Sequence, residues 1–455
     1  MTDGRPPDAD ADAAAPSEVF GRGAVDPLPG RVITFSGYTT LSTGPDGAMD
    51  ATDGVGLYDF DTRILSRYCF RLDGERPLLV SGGHLDPARW VASLRLPLAG
   101  GSPEGPRLPR DTIELAIHRR VGHGLLDELE VANHGMVPAL IQLAIDLDAD
   151  FEESIAREGD RRDVGGVETE WDGGASTYHL RFDAEWRGHR VERAARVRLV
   201  DAPGPIDRSG GSLTFSIELP AKGRRSFAVV VESLVDGAWR SPLDLAPTVL
   251  GETERDRAFA AWRADRPHLK PAGTVLTDAF ETAADDLFSL RAWDLEGART
   301  DTEGDRDAWT VAAGVPLYAG IFGRDILTTG LQAVMIGAAP MRGALALVAH
   351  TQATAHDPFR DAEPGKMIHE MRRGPLSDLG VIPQRAYYGS QTTPSMFVLA
   401  LSELWHWTGD LDAVRGHREA ALRALTWATE RGDLDGDGFL EYVRRAEVGP
   451  KNQGW

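Results

Sequence analysis

One segment of the chain places aromatic and charged side chains together at the start of an amphipathic helix. It reads AAGVPLYAGIFGRDILTTGLQ over residues 312–332, with Tyr318 and Phe322 leading into Arg324 and Asp325. A sugar ring is bound by an apolar surface on which it stacks and by charged groups that each form several hydrogen bonds. The segment therefore has the chemistry of a carbohydrate subsite. The alternative is structural, with Asp325 capping the helix and Arg324 as its surface partner.

A second segment, DPFRDAEPGKMIHEMRR at residues 357–373, concentrates ionisable side chains in one predicted loop. Its composition fits either a polar binding cleft or a solvated charge network. A zinc protease motif is excluded, because Arg373 stands where a second histidine would be needed four residues after His369. The candidate residues are Asp361, Glu363, Lys366, His369, Glu370 and Arg372.

A third segment, GDLDGDGFLEY at residues 432–442, alternates aspartate with small or apolar residues. Asp433, Asp435, Asp437 and Glu441 supply the hard oxygen ligands that Ca²⁺ prefers. The spacing does not complete a twelve-residue EF-hand loop, since the last acidic residue comes at position nine. A candidate structural Ca²⁺ site and a plain Asp–Gly turn are the two interpretations.

Three further patterns are interpreted structurally. Asp59, Asp61 and Arg63 in GLYDFDTRILSR predict a hydrogen-bonded corner, with sugar contact as the alternative. The Trp405–Trp407 segment predicts helix packing rather than a sugar platform. Cys69 lies in an alternating strand pattern with no nucleophile motif around it.

The elements that carry these residues change character along the chain. Residues 32–231 have the period-two pattern of an antiparallel sandwich, and turn residues interrupt the pattern about every ten positions. Residues 78–80 and 227–231 are apolar runs that predict strands buried on both faces. The alternating positions are Tyr178, Leu180 and Phe182 in one strand, and Leu213, Phe215, Ile217 and Leu219 in another.

Beyond residue 274 the hydrophobic period becomes helical. Thr393 and Pro394 predict an N-cap and first-turn pair, and Gly409 followed by Asp410 predicts a helix end and a new helix start. The long loop at residues 356–392 has a composition typical of a functional loop. The predicted apolar faces are Leu276, Phe280, Ala283, Leu287 and Leu290; Leu327, Leu331 and Val334; and Phe397, Leu401, Leu404 and Trp405.

Length and composition set the class of protein. The 455 residues predict a disordered acidic tail at 1–24, a β-sandwich at 25–236, a proline-bracketed linker at 237–273 and an α-helical domain at 274–455. A net charge of −21 argues against nucleic acid and anionic membranes as partners but is compatible with a neutral polysaccharide. There is no apolar run of membrane-spanning length. A single cysteine excludes an internal disulfide, and we expect a cytoplasmic location.

Several motifs, taken in order, resemble the bacterial and archaeal glycogen-debranching, amylo-α-1,6-glucosidase family. GLYDFDTRILSRY, HRRVGHGLLDELEVANHG and DLDADFEES resemble its N-terminal domain. AGVPLYAGIFGRDIL, DAEPGKMIHEMRRG, YYGSQTTPSMF, WTGD, GDLDGDGFLEY and NQGW resemble the first part of its catalytic domain. The chain departs from the family pattern at Leu317, where tryptophan is usual, and at Gln391, where aspartate is common.

The resemblance implies a β-sandwich followed by an (α/α)6 barrel of the glucoamylase type. It implies an inverting glycoside hydrolase that releases α-1,6-linked glucose from glycogen-like α-glucan, with no cofactor required. In such barrels an Arg–Asp pair matching Arg324–Asp325 binds hydroxyls of the non-reducing glucose, with aromatic residues matching Tyr318 and Phe322. The other implied substrate-binding residues are His369, Glu370, Arg372, Tyr388 and Trp455.

The resemblance also implies a Lys-Asp-Ser segment directly after NQGW. The aspartate of that segment is expected to act as the general acid, with the general base farther on. The expectation is therefore that the barrel is incomplete, that no catalytic carboxylate lies in this chain, and that the chain alone is inactive. Two alternatives stay open. One is another exo-acting α-glycosidase, for trehalose or isomalto-oligosaccharides, and the other is a non-catalytic glucan-binding protein.

Overall fold

The computed structural model describes most of the chain. The described residues are 30–52, 54–97, 109–154, 165–242, 251–270, 274–292, 308–316 and 318–447. The predicted acidic tail and Trp455 lie outside these ranges. No helix within them is long and apolar enough to cross a membrane.

The N-terminal region is built of antiparallel strands. The strands are β1 Val32–Ser36, β2 Thr39–Thr43, β3 Met49–Asp50, β4 Gly56–Asp59, β5 Thr62–Leu65, β6 Arg67–Leu72, β7 Leu78–Asp86, β8 Arg89–Arg95, β9 Ile113–Val121, β10 Gly124–Asn133, β11 Ala139–Asp148, β12 Gly165–Asp172, β13 Thr177–Trp186, β14 His189–Val200, β15 Asp207–Ser209, β16 Ser212–Leu219, β17 Arg224–Val235 and β18 Ala238–Arg240.

Two large sheets enclose the first hydrophobic core. One has the order β12-β13-β14-β17-β10-β9-β8-β7, with β18 paired to β17, and the other has the order β15-β16-β11-β6-β3. Leu115 and Val229 of the first sheet share one buried cluster with Ile145 and Phe215 of the second. Strands β1, β2, β4 and β5 form a smaller sheet. The predicted β-sandwich is consistent with this architecture, in which two antiparallel sheets pack through their inner faces.

The period-two pattern correctly predicts which side chains are buried in most strands. Leu180, Phe215 and Ile217 are almost fully buried, and β17 buries apolar residues on both faces, as predicted for 227–231. The prediction for residues 78–80 is wrong, because Leu78 and Val80 are 59% and 62% exposed. They belong to β7, the edge strand of its sheet, where one side has no neighbouring strand among the described residues.

The C-terminal region is helical. Its elements are α1 Glu254–Asp265, α2 Thr274–Ser289, β19 Ile321–Phe322, α3 Gly323–Ala333, α4 Ala339–His350, β20 Glu370–Met371, α5 Pro375–Asp378, α6 Thr393–Thr408 and α7 Leu411–Trp427, followed by a π-helical turn at Ala428–Gly432. Helix α1 lies within the predicted linker and begins with a capping box between Thr253 and Asp256. A second buried cluster joins α3, α4, α6 and α7.

Two predicted helix faces need correction. On α2, Leu276 is 62% exposed and the buried positions are Ala284 and Phe288, because only the C-terminal end of this helix packs against the core. On α6, the packing interpretation of residues 405–407 is wrong. Trp405 and Trp407 are 42% and 55% exposed, since the buried face of that helix passes through Phe397 and Leu404 instead.

The predicted helix ends are close to those observed. Gly409 ends α6 with a left-handed φ of 70°, and the Asp410 side chain accepts hydrogen bonds from the first turn of α7. At the start of α6 the N-cap is Thr392 rather than Thr393, one residue earlier than predicted.

The β region contributes directly to the helical core. Tyr38 and Phe60 belong to the second buried cluster. Asp59 is fully buried and accepts hydrogen bonds from Thr39 Oγ1 at 3.1 Å and from Arg240 Nε at 2.8 Å. These bonds support a hydrogen-bonded role for this segment, although Asp59 bonds to β2 and β18 rather than to Asp61 or Arg63.

Candidate functional site

A short strand pair brings the two candidate binding segments together. Strand β19 pairs with β20, so that Phe322 stands opposite Glu370. The backbone N–H of Gly323 donates to the carbonyl of His369 at 2.9 Å. A Cβ at Gly323 would lie only 2.0 Å from the Ile368 carbonyl oxygen, so this approach requires glycine. The first turn of α3 therefore begins directly beside residues 368–372.

Arg324 and Asp325 lie in that first turn, and both are half-buried. Asp325 is the third residue of α3, and the N-cap position is occupied by Phe322, which makes no side-chain capping bond. The capping interpretation of Asp325 is therefore wrong. A carboxylate in the first turn is stabilised by the positive end of the helix dipole without being used as the cap.

The two aromatic residues lie next to this turn. The Tyr318 and Phe322 ring centroids are 5.7 Å apart at an interplanar angle of 70°. Tyr318 is 49% exposed, which leaves much of its ring available to a ligand. The guanidinium carbon of Arg372 lies 5.0 Å from the Phe322 centroid and 5.9 Å from the Tyr318 centroid. Residues from both segments thus form one cluster, Tyr318–Phe322–Arg372.

Arg372 is held between two carboxylates. Its Nη1 lies 2.8 Å from Asp61 Oδ1 and its Nε lies 3.0 Å from Glu370 Oε1. All three residues are buried. Burial acts to lower the pKa of Arg372, but Asp61 and Glu370 outweigh it and hold that pKa above its ordinary value. Burial raises the pKa of Glu370 despite the neighbouring arginine.

The β region supplies the second half of this arrangement. Asp61 also accepts a hydrogen bond from the Arg373 backbone N–H at 3.1 Å. Glu153 accepts from the backbone N–H groups of Leu376 at 2.7 Å and Ser377 at 3.0 Å, at the start of α5. The β region therefore fixes the backbone that follows Arg372. Sequence reasoning missed Glu153, although it lies within the DLDADFEES segment that the resemblance includes.

Glu153 makes stability depend on pH. Burial raises the pKa of Glu153 to about 7, against an ordinary 4.5. A raised pKa means that this group stabilises the fold fully below about pH 4.5, and that this contribution is lost as the pH rises through 7. The loss corresponds to about 3 kcal/mol. We expect Glu153→Gln to have nearly the wild-type free energy of unfolding at pH 5. At pH 8 its free energy of unfolding should exceed that of the wild type.

Urea denaturation of both proteins across this pH range measures that difference. Glu130→Gln is a matched control, because that carboxylate on β10 is only half-buried. Parallel pH profiles for Glu153→Gln and the wild type would contradict the assignment.

The remaining charges of the 357–373 loop form a separate buried network. Tyr387 Oη donates to Asp361 at 2.8 Å, and Trp427 Nε1 donates to Glu363 at 2.8 Å. Lys366 Nζ donates to the Asp361 carbonyl at 3.0 Å. Asp361, Glu363 and Lys366 thus belong to a buried network rather than to a solvated one. Residues 369–372 lie beside α3, and a binding cleft there remains a prediction.

Of two further predicted substrate-binding residues, one is buried in the helical core and the other lies outside the described residues. Tyr388 is 8% exposed, belongs to the helical core, and donates its hydroxyl to the Thr351 carbonyl at 2.8 Å. Trp455 lies outside the described residues.

The third segment brings four carboxylates together. The nearest ligand oxygens of Asp433, Asp435, Asp437 and Glu441 all lie within 4.8 Å of one another. The same side chains also cap their own turn, since Asp433 accepts from the Gly436 N–H at 2.7 Å and from the Gly438 N–H at 3.0 Å. The geometry is compatible with both the Ca²⁺ site and the Asp–Gly turn.

Calcium binding at these carboxylates remains a prediction, and melting experiments test it. We expect Ca²⁺ to raise Tm by several degrees over protein treated with a chelator, because a ligand that binds only the folded state stabilises it. Asp435→Asn should remove that increase. A Tm that is the same with Ca²⁺ and with chelator would leave the plain turn as the correct interpretation.

Comparison with known proteins agrees with the N-terminal architecture. Residues 36–230 match the family model described as the N-terminal domain of (some) glycogen debranching enzymes. No curated protein matches the sequence. The matched residues cover β2 to β16 and most of β17, which is the β region that carries Asp61 and Glu153.

Solved structures extend the comparison to the helical part. A putative kojibiose phosphorylase from the human microbiome is 8% identical, with a TM-score of 0.54 over 89% of this chain. This chain spans 57% of that protein's length. A GH92 family glycosyl hydrolase is 12% identical over 90% of this chain and 59% of its own, with a TM-score of 0.30. The family match concerns the N-terminal domain of some glycogen debranching enzymes, and the likeness to the kojibiose phosphorylase shows a shared fold.

Proposed function

We propose that this chain binds the non-reducing end of an α-glucan and is the binding part of an inverting amylo-α-1,6-glucosidase. The observation that carries the proposal is the β19–β20 pair, which sets Arg324 and Asp325 beside residues 369–372. The match of residues 36–230 to a debranching-enzyme N-terminal domain adds the substrate class. An (α/α)6 barrel for the helical part belongs to the same proposal.

Each residue of the site has a chemical role in this proposal. Tyr318 and Phe322 offer apolar ring surface to the sugar carbons. Arg324 donates to glucose hydroxyls and Asp325 accepts from them, and such charge-assisted hydrogen bonds are the stronger kind. His369 lies beside them through its backbone bond to Gly323. Arg372 and Glu370 act as positioning residues that hold the wall of the site.

Hydrolysis with inversion needs two more groups. One carboxylic acid protonates the glycosidic oxygen and a second carboxylate activates water. The two carboxyl groups stand roughly 6.5–9.5 Å apart. This chain is proposed to supply substrate binding and orientation, and a polypeptide that carries both carboxylates is proposed to supply the reaction.

Glucose release by such a polypeptide tests the linkage. We expect release from limit dextrin and isomaltose to exceed release from trehalose at least tenfold, with β-glucose as the first product seen by NMR. Preferred release from trehalose would favour another exo-α-glycosidase. Sugar binding without any release would favour a non-catalytic glucan-binding protein.

The same assay with added phosphate tests a second candidate reaction. The fold is shared with a protein named as a kojibiose phosphorylase, and a phosphorylase transfers glucose to phosphate instead of water. Formation of glucose 1-phosphate that depends on added phosphate would replace hydrolysis in the proposal. Glucose release that is independent of phosphate supports hydrolysis.

A further inference from the structure

A cavity lies between the sandwich and the first two helices, away from the β19–β20 pair. Its volume is about 390 Å³, which falls within the ordinary range for small-molecule sites. It is bounded by the end of β1, the β7–β8 turn and the end of β9 on one side, and by α1 and α2 on the other. None of its lining residues belongs to the Tyr318–Phe322–Arg372 cluster or to the 357–373 loop.

One wall of the cavity is aromatic. Phe259 of α1 and Phe288 of α2 line it, with ring centroids 5.3 Å apart at an angle of 44°. Trp262, also on α1, stacks on Phe288 with ring centroids 6.1 Å apart, and this contact fixes the Phe288 ring. A rigid apolar wall of this kind suits the carbon face of a sugar ring.

The rest of the lining is largely polar and nearly balanced in charge. Three arginines and four aspartates line the cavity. Arg89 is paired with Asp256 at 2.9 Å and Arg120 donates to the Gly251 carbonyl at 3.3 Å. An anion would gain little net attraction from this lining, because the aspartates cancel the arginines. A neutral ligand with many hydroxyls can use both kinds of group.

One buried hydroxyl in the cavity has no partner in the part of the chain that is described. Ser36 is 3% exposed and lines the cavity, and its Oγ makes no hydrogen bond with the described residues. A Cβ at Gly122 would lie 3.5 Å from Ser36 Oγ and 3.4 Å from Arg255 Nη1, which places both polar atoms around the same glycine. A buried hydroxyl without a partner costs about 1–3 kcal/mol, and a ligand hydroxyl would satisfy it.

We propose that this cavity is a second binding site, for a neutral oligosaccharide with one or two sugar rings in the cavity. The aromatic wall, the balanced Arg–Asp lining and the Ser36 hydroxyl all fit that ligand. The choice of an α-glucan rests on the proposed function, whereas the cavity itself does not depend on it. Occupancy here would tether a long glucan at the junction of the two regions while its end is bound at Arg324 and Asp325.

Calorimetric titration of the 455-residue chain with maltotriose tests the proposal. We expect two binding events in the wild type. Arg255→Gln should weaken one of them about tenfold, and Ser36→Ala should weaken the same event without lowering Tm. Arg257→Gln is the matched control, because this residue is exposed on the same helix and does not line the cavity. Asp325→Ala should remove only the other event.

The outcomes separate this proposal from the proposed function. If Asp325→Ala abolishes all binding and the cavity variants change nothing, the second site is overturned and the glucan function stands. If inorganic phosphate binds at the cavity and maltotriose does not bind there, the site binds anions and the proposal is overturned. If maltotriose does not bind the chain at all, both proposals fail.

Discussion

Arg372→Met is expected to lower the free energy of unfolding by about 3–5 kcal/mol, the largest stability effect that we predict. The substitution leaves Asp61 and Glu370 buried without their cation, and each carboxylate then carries its desolvation cost alone. Methionine keeps most of the side-chain volume against Phe322, so the loss measures charge rather than packing. Urea denaturation at pH 7 gives the difference directly.

A double variant and a control make this result specific. Asp61→Asn combined with Arg372→Met should recover part of the loss, because one uncompensated charge is removed together with its partner. Arg415→Met removes an ion pair with Asp412 whose side chains are 70% and 91% exposed, and it should change stability by less than about 1 kcal/mol. Equal effects of Arg372→Met and Arg415→Met would show that the buried triad is not structural.

Asp325→Ala is expected to weaken maltotriose binding at the β19–β20 site by about 10- to 100-fold. A hydrogen bond to a charged group is worth about 1.5–3 kcal/mol, which corresponds to that range. The side chain is half-buried and does not cap α3, so Tm should change little. Titration calorimetry measures the affinity and a thermal melt measures the stability.

The control for Asp325 is another first-turn aspartate. Asp412 lies in the first turn of α7 with its side chain 91% exposed, and Asp412→Ala should leave maltotriose affinity unchanged. Unchanged affinity in Asp325→Ala would mean that the subsite is misplaced. A large loss of Tm in the same variant would instead assign Asp325 a structural role.

The sequence predicts well those features that depend on local pattern. Alternation identifies the buried positions of β13 and β16, and Gly409 with Asp410 identifies a helix boundary, because both signals come from neighbouring residues. The burial predicted from the sequence is wrong for Leu78–Val80 and Leu276, because an apolar side chain is buried only when another element covers it. Coverage depends on sheet order and helix packing, which local pattern does not contain.

The site was predictable in its parts but not in its assembly. Tyr318, Phe322, Arg324 and Asp325 are recognisable by type and spacing within eight residues. The hydrogen bond that Arg372 donates to Asp61 joins positions 311 residues apart, and no local signal indicates it. Asp61 is explained as a corner residue by the sequence and as a positioning residue by the structure. Glu153 is missed for the same reason, since its partners lie in α5.

A crystal structure of the chain with bound maltotriose would show whether glucose binds at Arg324 and Asp325. We predict a terminal glucose whose hydroxyl oxygens lie about 2.6–3.2 Å from these two side chains, with its ring against Tyr318 or Phe322. A sugar that occupies other parts of the molecule while Arg324 and Asp325 contact no ligand would contradict the proposed subsite.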